Sequence, residues 1–207
     1  MEEVLDLYQK PYDPRRPKVN FDESSKQLIK ETRVTLPAQP GKLERYDYEY
    51  ERNGVRNLFM LVEPQAGWRH VAVTDRHTGL DFAQQMKWLV DERYPEAEVI
   101  EVILDNLSTH KAASLYEAFE PAEARRILRK INFHYTPKHG SWLNMAEIEL
   151  SILQRQCLGR RIPDEESLKR EIAAWEQRRN DQKATIDWRF SLDDARTTLK
   201  RLYPSTS

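Results

Sequence analysis

The sequence predicts an α/β fold in which a mixed five-stranded sheet carries flanking helices. Two observations predict it. Segments with the residue preferences of strands alternate with segments whose apolar residues recur at helical spacing. In addition, three strand-like segments come first, and two later ones are each bounded by helical stretches. This order is typical of a mixed sheet with helical cover.

Composition limits the possible classes of protein. The 207 residues fit one domain with an ordinary core. A single cysteine, Cys157, excludes a disulfide framework and favours a reducing compartment, which we expect to be the cytoplasm. No segment approaches the roughly 18 apolar residues of a membrane helix, so no membrane partner is expected. With 33 basic and 34 acidic residues, the net charge argues neither for nor against nucleic acid.

The first part of the chain is predicted to be extended. Residues 1–17 hold three prolines among charged residues, which disfavour both a helix and a central strand, so we predict an extended lead-in. Val19-Asn20-Phe21-Asp22 then alternates apolar and polar residues as a strand does, before the hydrophilic segment 23–26. This pattern places Asp22 at the end of the first strand.

A hairpin and a further strand are predicted next. Aromatic and β-branched residues in 46–52 and 55–64 flank Asn53-Gly54, a dipeptide that favours a tight hairpin turn. A third apolar run from Trp68 to Val73 extends this meander. The first three strands are therefore expected to be antiparallel.

The middle of the chain predicts a helix followed by a buried central strand. Phe82, Met86, Leu89 and Val90 recur at helical spacing between Gly79 and Pro95. The segment 98–106 has the β-branched, nearly continuous apolar character of a buried central strand, and this strand ends on Asp105-Asn106. An acid at such a strand end lies where open α/β sheets bind ligands.

The remaining elements complete the predicted order. A helical stretch over 111–130 precedes a short strand over 131–135, and a long helix follows from Leu143, with Glu147 in its first turns. Ile148, Ile152 and Leu153 are predicted to form the apolar face of that helix. Beyond it we predict another helix, a loop, and a last helix after Ser191, whose Ser-Leu-Asp-Asp segment resembles a capping box.

Three acids in this arrangement suggest phosphodiester chemistry. Cleavage of a phosphodiester requires an activated nucleophilic oxygen and a stabilised leaving oxygen, and two metal ions about 4 Å apart do both. Hard divalent ions prefer carboxylate oxygens. Asp22 and Asp105 at strand ends and Glu147 on a helix can converge on such ions.

The motifs around these acids resemble a known family. The blocks are Phe21-Asp22-Glu23, Ile103-Leu104-Asp105-Asn106 with His110 behind it, and Thr136-Pro137-Lys138-His139-Gly140-Ser141-Trp142-Leu143-Asn144-Met145-Ala146-Glu147. They are similar to the signature blocks of DDE transposases in the bacterial insertion-sequence branch of the mariner superfamily. The resemblance implies a ribonuclease H-like fold of the retroviral integrase type, which the order of elements also fits. It further implies two Mg²⁺ or Mn²⁺ ions held by Asp22, Asp105 and Glu147, and DNA cleavage followed by strand transfer.

The resemblance also implies partners and a domain plan. Double-stranded DNA, as element ends and as target, is the expected partner, bound by a homodimer. Relatives usually carry N-terminal helix-turn-helix modules, so we expect an upstream helix-turn-helix polypeptide or reading frame. We assign residues 1–17 to the lead-in, 18–160 to the catalytic domain and 161–207 to a C-terminal helical extension packed on it. The 41 residues between Asp105 and Glu147 exceed the usual spacing, and we place the excess in 117–130.

Alternatives remain open for each acid. The alternative role for Asp22 and Asp105 is that of a helix cap or turn residue. Glu23 is a rival ligand that strand alternation directs to the opposite face from Asp22. Glu149 is a rival to Glu147, about 200° away around the helix. His110, His134 and His139 lack the spacing of a zinc site.

Further residues are candidates for contact with DNA, and each has an ordinary structural role as its alternative. The candidates near the acids are Asn106, His110, Lys138, His139, Trp142 and Asn144. Basic residues that could follow a phosphate backbone are Arg155, Arg160, Arg161, Lys169, Arg170, Arg178 and Arg179. Clustering of these side chains beside the acids would favour the functional interpretation over a solvated helix face.

Three functional hypotheses follow. The first is an insertion-sequence transposase catalytic domain that performs DNA cleavage and strand transfer. The second is a ribonuclease H-like endonuclease that uses the same site without strand transfer. The third is a non-catalytic, truncated transposase that binds DNA and regulates a full-length enzyme.

Overall fold

A computed structural model describes residues 1–32, 39–42, 49–138 and 140–200 of the chain. The strands are β1 (Lys18–Glu31), β2 (Tyr50–Glu63), β3 (Trp68–Thr74), β4 (Ile100–Leu104) and β5 (Ile131–Tyr135). The helices are α1 (Glu2–Gln9), α2 (Gly79–Trp88), α3 (Ala112–Ala118), α4 (Pro121–Leu128), α5 (Met145–Leu153), α6 (Glu165–Asp181) and α7 (Leu192–Thr198). Wider π-helical turns, Leu89–Arg93 and Gln154–Leu158, continue α2 and α5.

The five strands form one mixed sheet in the order β3-β2-β1-β4-β5. β1 pairs antiparallel with β2, and β2 pairs antiparallel with β3. β4 lies parallel to both β1 and β5. The predicted α/β class with a mixed five-stranded, ribonuclease H-like sheet is therefore confirmed.

Helices cover both faces of the sheet, because successive residues of its strands point to opposite sides. On one face, Phe59 and Leu61 of β2 pack in a core with α2, α3 and α4. On the other face, Leu58 and Met60 pack with α5 and α6. Asp22 and Glu23 of β1 are likewise divided between the two faces, as the alternation predicts.

The N-terminal segment corrects the expectation of an extended lead-in, because residues 2–9 form α1. The prolines that disfavour a helix lie at positions 11, 14 and 17, beyond its last turn. Val4, Leu5 and Leu7 are buried, and they share a small core with Leu143 and Ala195. Tertiary packing of this apolar face stabilises a helix too short to form alone.

β1 is longer than predicted, and Asp22 does not lie at its end. The strand continues to Glu31 because β2 pairs with it over almost its whole length. Pairing with β4, by contrast, covers only Lys18 to Asn20. Asp22 therefore lies just past the end of the parallel pairing.

The predicted turn at Asn53-Gly54 is wrong, because both residues lie within β2. Gln27 pairs with Val55 and Ile29 pairs with Arg52, so β2 carries one extra residue at this point. Gly54 has a φ of 85°. A β-bulge, like a tight turn, can require a residue with such a positive φ. The first strand of the predicted hairpin, 46–52, lies partly outside the described residues.

The two middle helices and the last helix agree with the sequence pattern in outline. The predicted helical stretch 111–130 is divided into α3 and α4 by Glu120-Pro121, and Pro121 opens α4. Ser191 caps α7 through a reciprocal pair with Asp194. In the part of the chain that the structure describes, no helix has the length and apolar content needed to cross a membrane.

The apolar face predicted for α5 is wrong at one position. Ile148 is 38% exposed, whereas Glu149 is fully buried. Leu153 is buried as expected, and Ile152 packs partly against the α5 and α6 core. An ion pair compensates the charge of the buried Glu149. The buried face of α5 therefore includes Glu149 and leaves Ile148 exposed.

Candidate active site

Two parallel strands bring Asp22 and Asp105 to the same end of the sheet. Asn20 of β1 is paired with Ile103 of β4. Each acid lies two residues further along its strand direction, so both follow the last β1–β4 pair, while Asp22 remains paired with Met60 of β2. Asp22 is half-buried, and the side chain of Asp105 is 32% exposed.

Hydrogen bonds hold the start of α5, and with it Glu147, against β1. Asn144 caps the helix by accepting from the backbone N–H of Ala146 at 3.1 Å. Its Nδ2 donates to the carbonyl oxygen of Phe21 at 2.8 Å. Oδ1 of Asn20 in turn accepts from the backbone N–H of Met145 at 3.0 Å. Glu147 is therefore positioned in the first turn of α5, with its side chain exposed.

Tyr8 of α1 contributes to the same arrangement. Its hydroxyl lies 2.5 Å from Oδ1 of Asn20 and 2.7 Å from the carbonyl oxygen of Leu143. Sequence reasoning missed both Tyr8 and Asn20 as positioning residues. The signal in the sequence was Asn20, a polar residue between two apolar residues of a strand. Both of these neighbours are buried in the structure.

The three acids interact electrostatically. Burial raises the pKa of Asp22 to about 7, although a hydrogen bond from the backbone N–H of Glu23 has the opposite effect and lowers this pKa. The negative charges of Glu23, Glu147 and Asp105 raise it further. Ionised Asp22 is thus disfavoured by its surroundings, in the way that crowded carboxylates usually are.

Replacing Asp22 with asparagine is expected to stabilise the metal-free protein at pH 8. The folded-state pKa of about 7 lies above the ordinary value of 3.8, so the stability present at low pH is lost as pH rises through this interval. Asparagine removes that loss. The interval between the two pKa values corresponds to about 4 kcal/mol in the free energy of unfolding, and solvent screening at this half-buried side chain reduces the expected gain to about 2 kcal/mol. Urea unfolding in the presence of EDTA at pH 4 and pH 8 measures it.

The difference between Asp22→Asn and the wild type should nearly vanish at pH 4. Asp6→Asn, a change at an exposed acid of α1, is the matched control and should show no comparable pH dependence. A gain that is equal at both pH values would contradict the raised pKa of Asp22.

His110 occupies a buried position between two acids. Its Nδ1 lies 2.6 Å from Oδ1 of Asp105, and its Nε2 lies 3.0 Å from Oε2 of Glu23. Burial alone would lower the pKa of His110, but the contacts with Asp105 and Glu23 together raise it to about 9. The ring packs against Phe21 and Phe82, with centroids 5.2 and 5.1 Å away.

The rival acids occupy places distinct from Asp22 and Glu147. Glu23 points to the face of α2 and α3, where it meets His110. Glu149 is fully buried and lies between two arginines, 3.4 Å from Nη2 of Arg69 and 2.7 Å from Nη2 of Arg179. Of the two glutamates on α5, Glu147 is the one on the exposed surface beside Asp22.

A family comparison covers most of the chain. Residues 17–169 match the model of the family described as DDE superfamily endonuclease. The chain belongs to this family. The match includes Asp22, Asp105 and Glu147, the three acids that lie at one end of the sheet. Among curated proteins, none is similar enough in sequence to be recognised as a relative.

Solved structures of the Mos1 mariner system share the fold of this DDE family member. The paired-end complex with Mn is 15% identical with a TM-score of 0.57, and the strand transfer complex is 14% identical with a TM-score of 0.56. Each match covers 88% of this chain and 56% of the other. The pre-cleavage transpososome is 14% identical with a TM-score of 0.54, covering 88% and 59%. The chain thus spans little more than half the length of these proteins.

Two shallow grooves adjoin the acids of this DDE family member and contain several of the predicted DNA-contact residues. Asn106 and Lys138 are exposed and line one groove together with Asp105. Trp142 lines the other beside Glu147. Trp142 is 41% exposed and stacks on Trp188 at a centroid distance of 6.3 Å.

The structure corrects two of the predicted DNA contacts. Asn144 is 1% exposed and serves as the cap of α5, so its polar atoms are directed into the protein. His110 is also 1% exposed and faces Asp105 and Glu23 rather than the surface. Local motifs do not reveal burial, which depends on how the strands and helices are packed. His139, a further candidate, lies outside the described residues.

Most of the predicted basic residues are engaged in ion pairs rather than gathered beside the acids. The pairs are Arg160 with Glu171, Arg161 with Glu31, Lys169 with Glu165, and Arg179 with Glu149. Arg155 differs from them because it lines the groove that contains Glu147. Arg155 is therefore the arginine of this set that lies where DNA beside the acids would pass.

The donor set is suited to a divalent cation. Asp22, Asp105 and Glu147 offer only carboxylate oxygens, the ligands that Mg²⁺ and Mn²⁺ prefer. A cation would also relieve the unfavourable charge of Asp22. Among the described residues, however, no three histidine, cysteine, aspartate or glutamate side chains are gathered tightly enough to hold an ion.

Proposed function

We propose that this chain is the catalytic part of an insertion-sequence transposase, which cleaves DNA and then joins the cut end to target DNA. The observation that carries the proposal is the placement of Asp22, Asp105 and Glu147 at one end of the sheet in a DDE family member. The Mos1 structures of the same fold are described as a paired-end complex and a strand transfer complex. These descriptions support the choice of reaction.

We propose that the three acids hold two divalent ions, Mg²⁺ or Mn²⁺. When bound, such ions activate the attacking oxygen and stabilise the leaving oxygen. Burial, and to a smaller extent the charges of Glu23, Glu147 and Asp105, raise the pKa of Asp22, and a bound cation would favour its ionised form. The Mos1 paired-end complex is described as containing Mn.

The proposed reaction has two steps at phosphorus. A water oxygen first attacks a phosphodiester, the bond from phosphorus to the 3′ oxygen breaks, and the products are a 3′ hydroxyl and a 5′ phosphate. The 3′ hydroxyl oxygen then attacks a phosphodiester of the target, and the target's own 3′ oxygen leaves with a proton. Neither step requires a covalent bond between protein and DNA.

Side chains near the acids would hold the DNA in place. Lys138 lines the groove that contains Asp105, Arg155 lines the groove that contains Glu147, and each could pair with a phosphate. Asn106 and Trp142 line the same two grooves. We further propose that the protein acts in the cytoplasm as a homodimer on double-stranded DNA. A helix-turn-helix polypeptide would supply recognition of the element ends.

A strand transfer assay tests the proposal. The probe is a labelled blunt DNA duplex with free 3′ hydroxyls, incubated with supercoiled plasmid, the full chain and Mn²⁺. Strand transfer covalently attaches the label to the plasmid, which is then both nicked or linearised and labelled. We expect labelled plasmid, and EDTA should abolish it.

Other outcomes would replace the proposed function. Nicked plasmid without label would indicate an endonuclease without strand transfer, which overturns the second step. Binding of the duplex with neither nicking nor labelling would indicate a DNA-binding regulator and overturn the catalytic assignment. A gel of the deproteinised plasmid shows nicking and labelling, and a native gel of the labelled duplex with the protein shows binding.

A further inference from the structure

His110 bridges two acids that lie on different strands of the site. Nδ1 of the ring faces Asp105, which follows β4, and Nε2 faces Glu23, which belongs to β1. The residue is 1% exposed, and Phe21 and Phe82 pack against the ring. Its orientation is therefore set by apolar packing as well as by polar contacts.

The loop that carries His110 is itself held in place. The backbone N–H of His110 donates to the carbonyl oxygen of Leu107 at 3.2 Å and closes a turn behind Asp105. The hydroxyl of Tyr135 donates to the carbonyl oxygen of His110 at 2.8 Å. Ser114 likewise donates to the carbonyl oxygen of Thr109 at 2.9 Å. A histidine fixed on both its backbone and its ring is a rigid support for Asp105.

We infer that His110, anchored by Glu23, is a positioning residue that holds the carboxylate of Asp105 for ion binding. The inference rests on the proposed function, in which Asp105 is a ligand. Among the described residues, His110 and the backbone N–H of Leu107 both contact the Asp105 carboxylate through Oδ1. The second oxygen, Oδ2, can then serve as the ligand. Supporting partners of this kind are typically worth about 10- to 100-fold in metal affinity.

The inference also gives Glu23 a role other than that of a ligand. Strand alternation places Glu23 on the face opposite Asp22, and its Oε2 lies in an interior position beside His110. The Nε2 to Oε2 distance is 3.0 Å, although the angles depart from those of a good hydrogen bond. Glu23 therefore supports the His110 ring by placing an acceptor oxygen next to Nε2. The uncharged carbonyl oxygen of a glutamine can serve in the same position.

Mn²⁺ binding measured on the full chain by electron paramagnetic resonance tests this inference without relying on catalysis. His110→Phe keeps an aromatic ring between Phe21 and Phe82 and removes both donors. We expect its affinity for Mn²⁺ to fall about 10- to 100-fold. Glu23→Ala should weaken binding in the same direction, and Glu23→Gln should recover much of it, because the glutamine carbonyl still accepts from Nε2.

A second histidine provides the matched control. His134 also lies between two acids, 2.6 Å from Oε1 of Glu3 and 2.8 Å from Oε2 of Glu101, but it does not contact Asp105. His134→Phe should leave the Mn²⁺ affinity unchanged. Thermal melting checks that each variant is folded. If His110→Phe fails to fold, His110→Gln, which can reach only one acid, should still show weakened binding.

Asp105→Asn separates failure of the inference from failure of the proposed function. If Asp105→Asn binds Mn²⁺ like the wild type, Asp105 is not a ligand, and the proposed function loses its site. If Asp105→Asn loses binding while folded His110 variants retain it, the positioning role alone is overturned. If Glu23→Gln loses as much affinity as Asp105→Asn, Glu23 is itself a ligand and the inference is wrong.

Discussion

Asp105→Asn and Glu147→Gln are each expected to abolish metal-dependent DNA cleavage without unfolding the protein. Each substitution keeps the size of the side chain and removes the negative charge that an ion requires. Loss of an ion that stabilises both the attacking and the leaving oxygen costs several kcal/mol, and about 4 kcal/mol corresponds to roughly a thousandfold in rate. Both side chains are partly or fully exposed, so little stability depends on them.

Plasmid nicking at saturating Mn²⁺ measures the effect, with thermal melting as the check on folding. Glu117→Gln is the control, because Glu117 is an exposed helical glutamate near the end of α3. It should cut at the wild-type rate. Cleavage by Asp105→Asn or Glu147→Gln at a rate within tenfold of the wild type would remove that residue from the proposed site.

Glu149→Ala, in contrast to these variants, is expected to cause a large loss of stability. Glu149 and Arg69 are both fully buried, and Arg179 is the third member of the cluster. Removing the carboxylate leaves the guanidinium of Arg69 in the interior without its counter-charge. Breaking a buried pair in this way typically costs about 3–5 kcal/mol. For a chain of this size, that corresponds to a fall of roughly 6–20 °C in Tm.

Glu147→Ala, two residues away on the same helix, is the matched control and should change the free energy of unfolding by less than about 1 kcal/mol. The double variant Arg69→Met/Glu149→Leu should recover a large part of the stability lost in Glu149→Ala, since neither buried charge of the pair remains. Equal losses for the two glutamates in urea unfolding would contradict the buried ion cluster.

Periodicity was enough to predict the elements whose own residues determine them. All residues of β4 except Glu101 are apolar, and α2 presents Phe82 and Met86 on one face. Ser191 and Asp194 predict the start of α7, because the capping pair is local in sequence. In each case short-range preference and long-range packing favour the same structure, which is the condition under which sequence patterns are informative.

The errors arose where a distant partner decides the structure. The bulge at Gly54 and a hairpin turn both call for a glycine with positive φ, and the choice between them depends on β1. The length of β1 beyond Asp22 depends in the same way on β2. α1 forms because Leu5 and Leu7 are buried against residues from the other end of the chain.

For the candidate site, the motifs predicted which types of residue lie close together, but they did not predict which groups surround them. The sequence left Glu147 and Glu149 as alternatives, and the structure separates them by the burial of Glu149 beside Arg69. It left Glu23 as a rival ligand and His110 as a DNA contact, whereas the two lie side by side in the interior. Burial and charge pairing are three-dimensional properties, so no spacing rule could have assigned them.

The connection from β4 to β5, which contains α3 and α4, determines where the chain can gain or lose residues during evolution. It leaves the sheet after Leu104 and returns in register, with Leu104 opposite Tyr135 and the N–H of Thr136 bonded to the Leu104 carbonyl oxygen. Both ends of the connection are therefore anchored, and residues can accumulate or disappear around Glu120-Pro121 without displacing Asp105. The number of residues between Asp105 and Glu147 therefore does not by itself set the distance between the two acids in space.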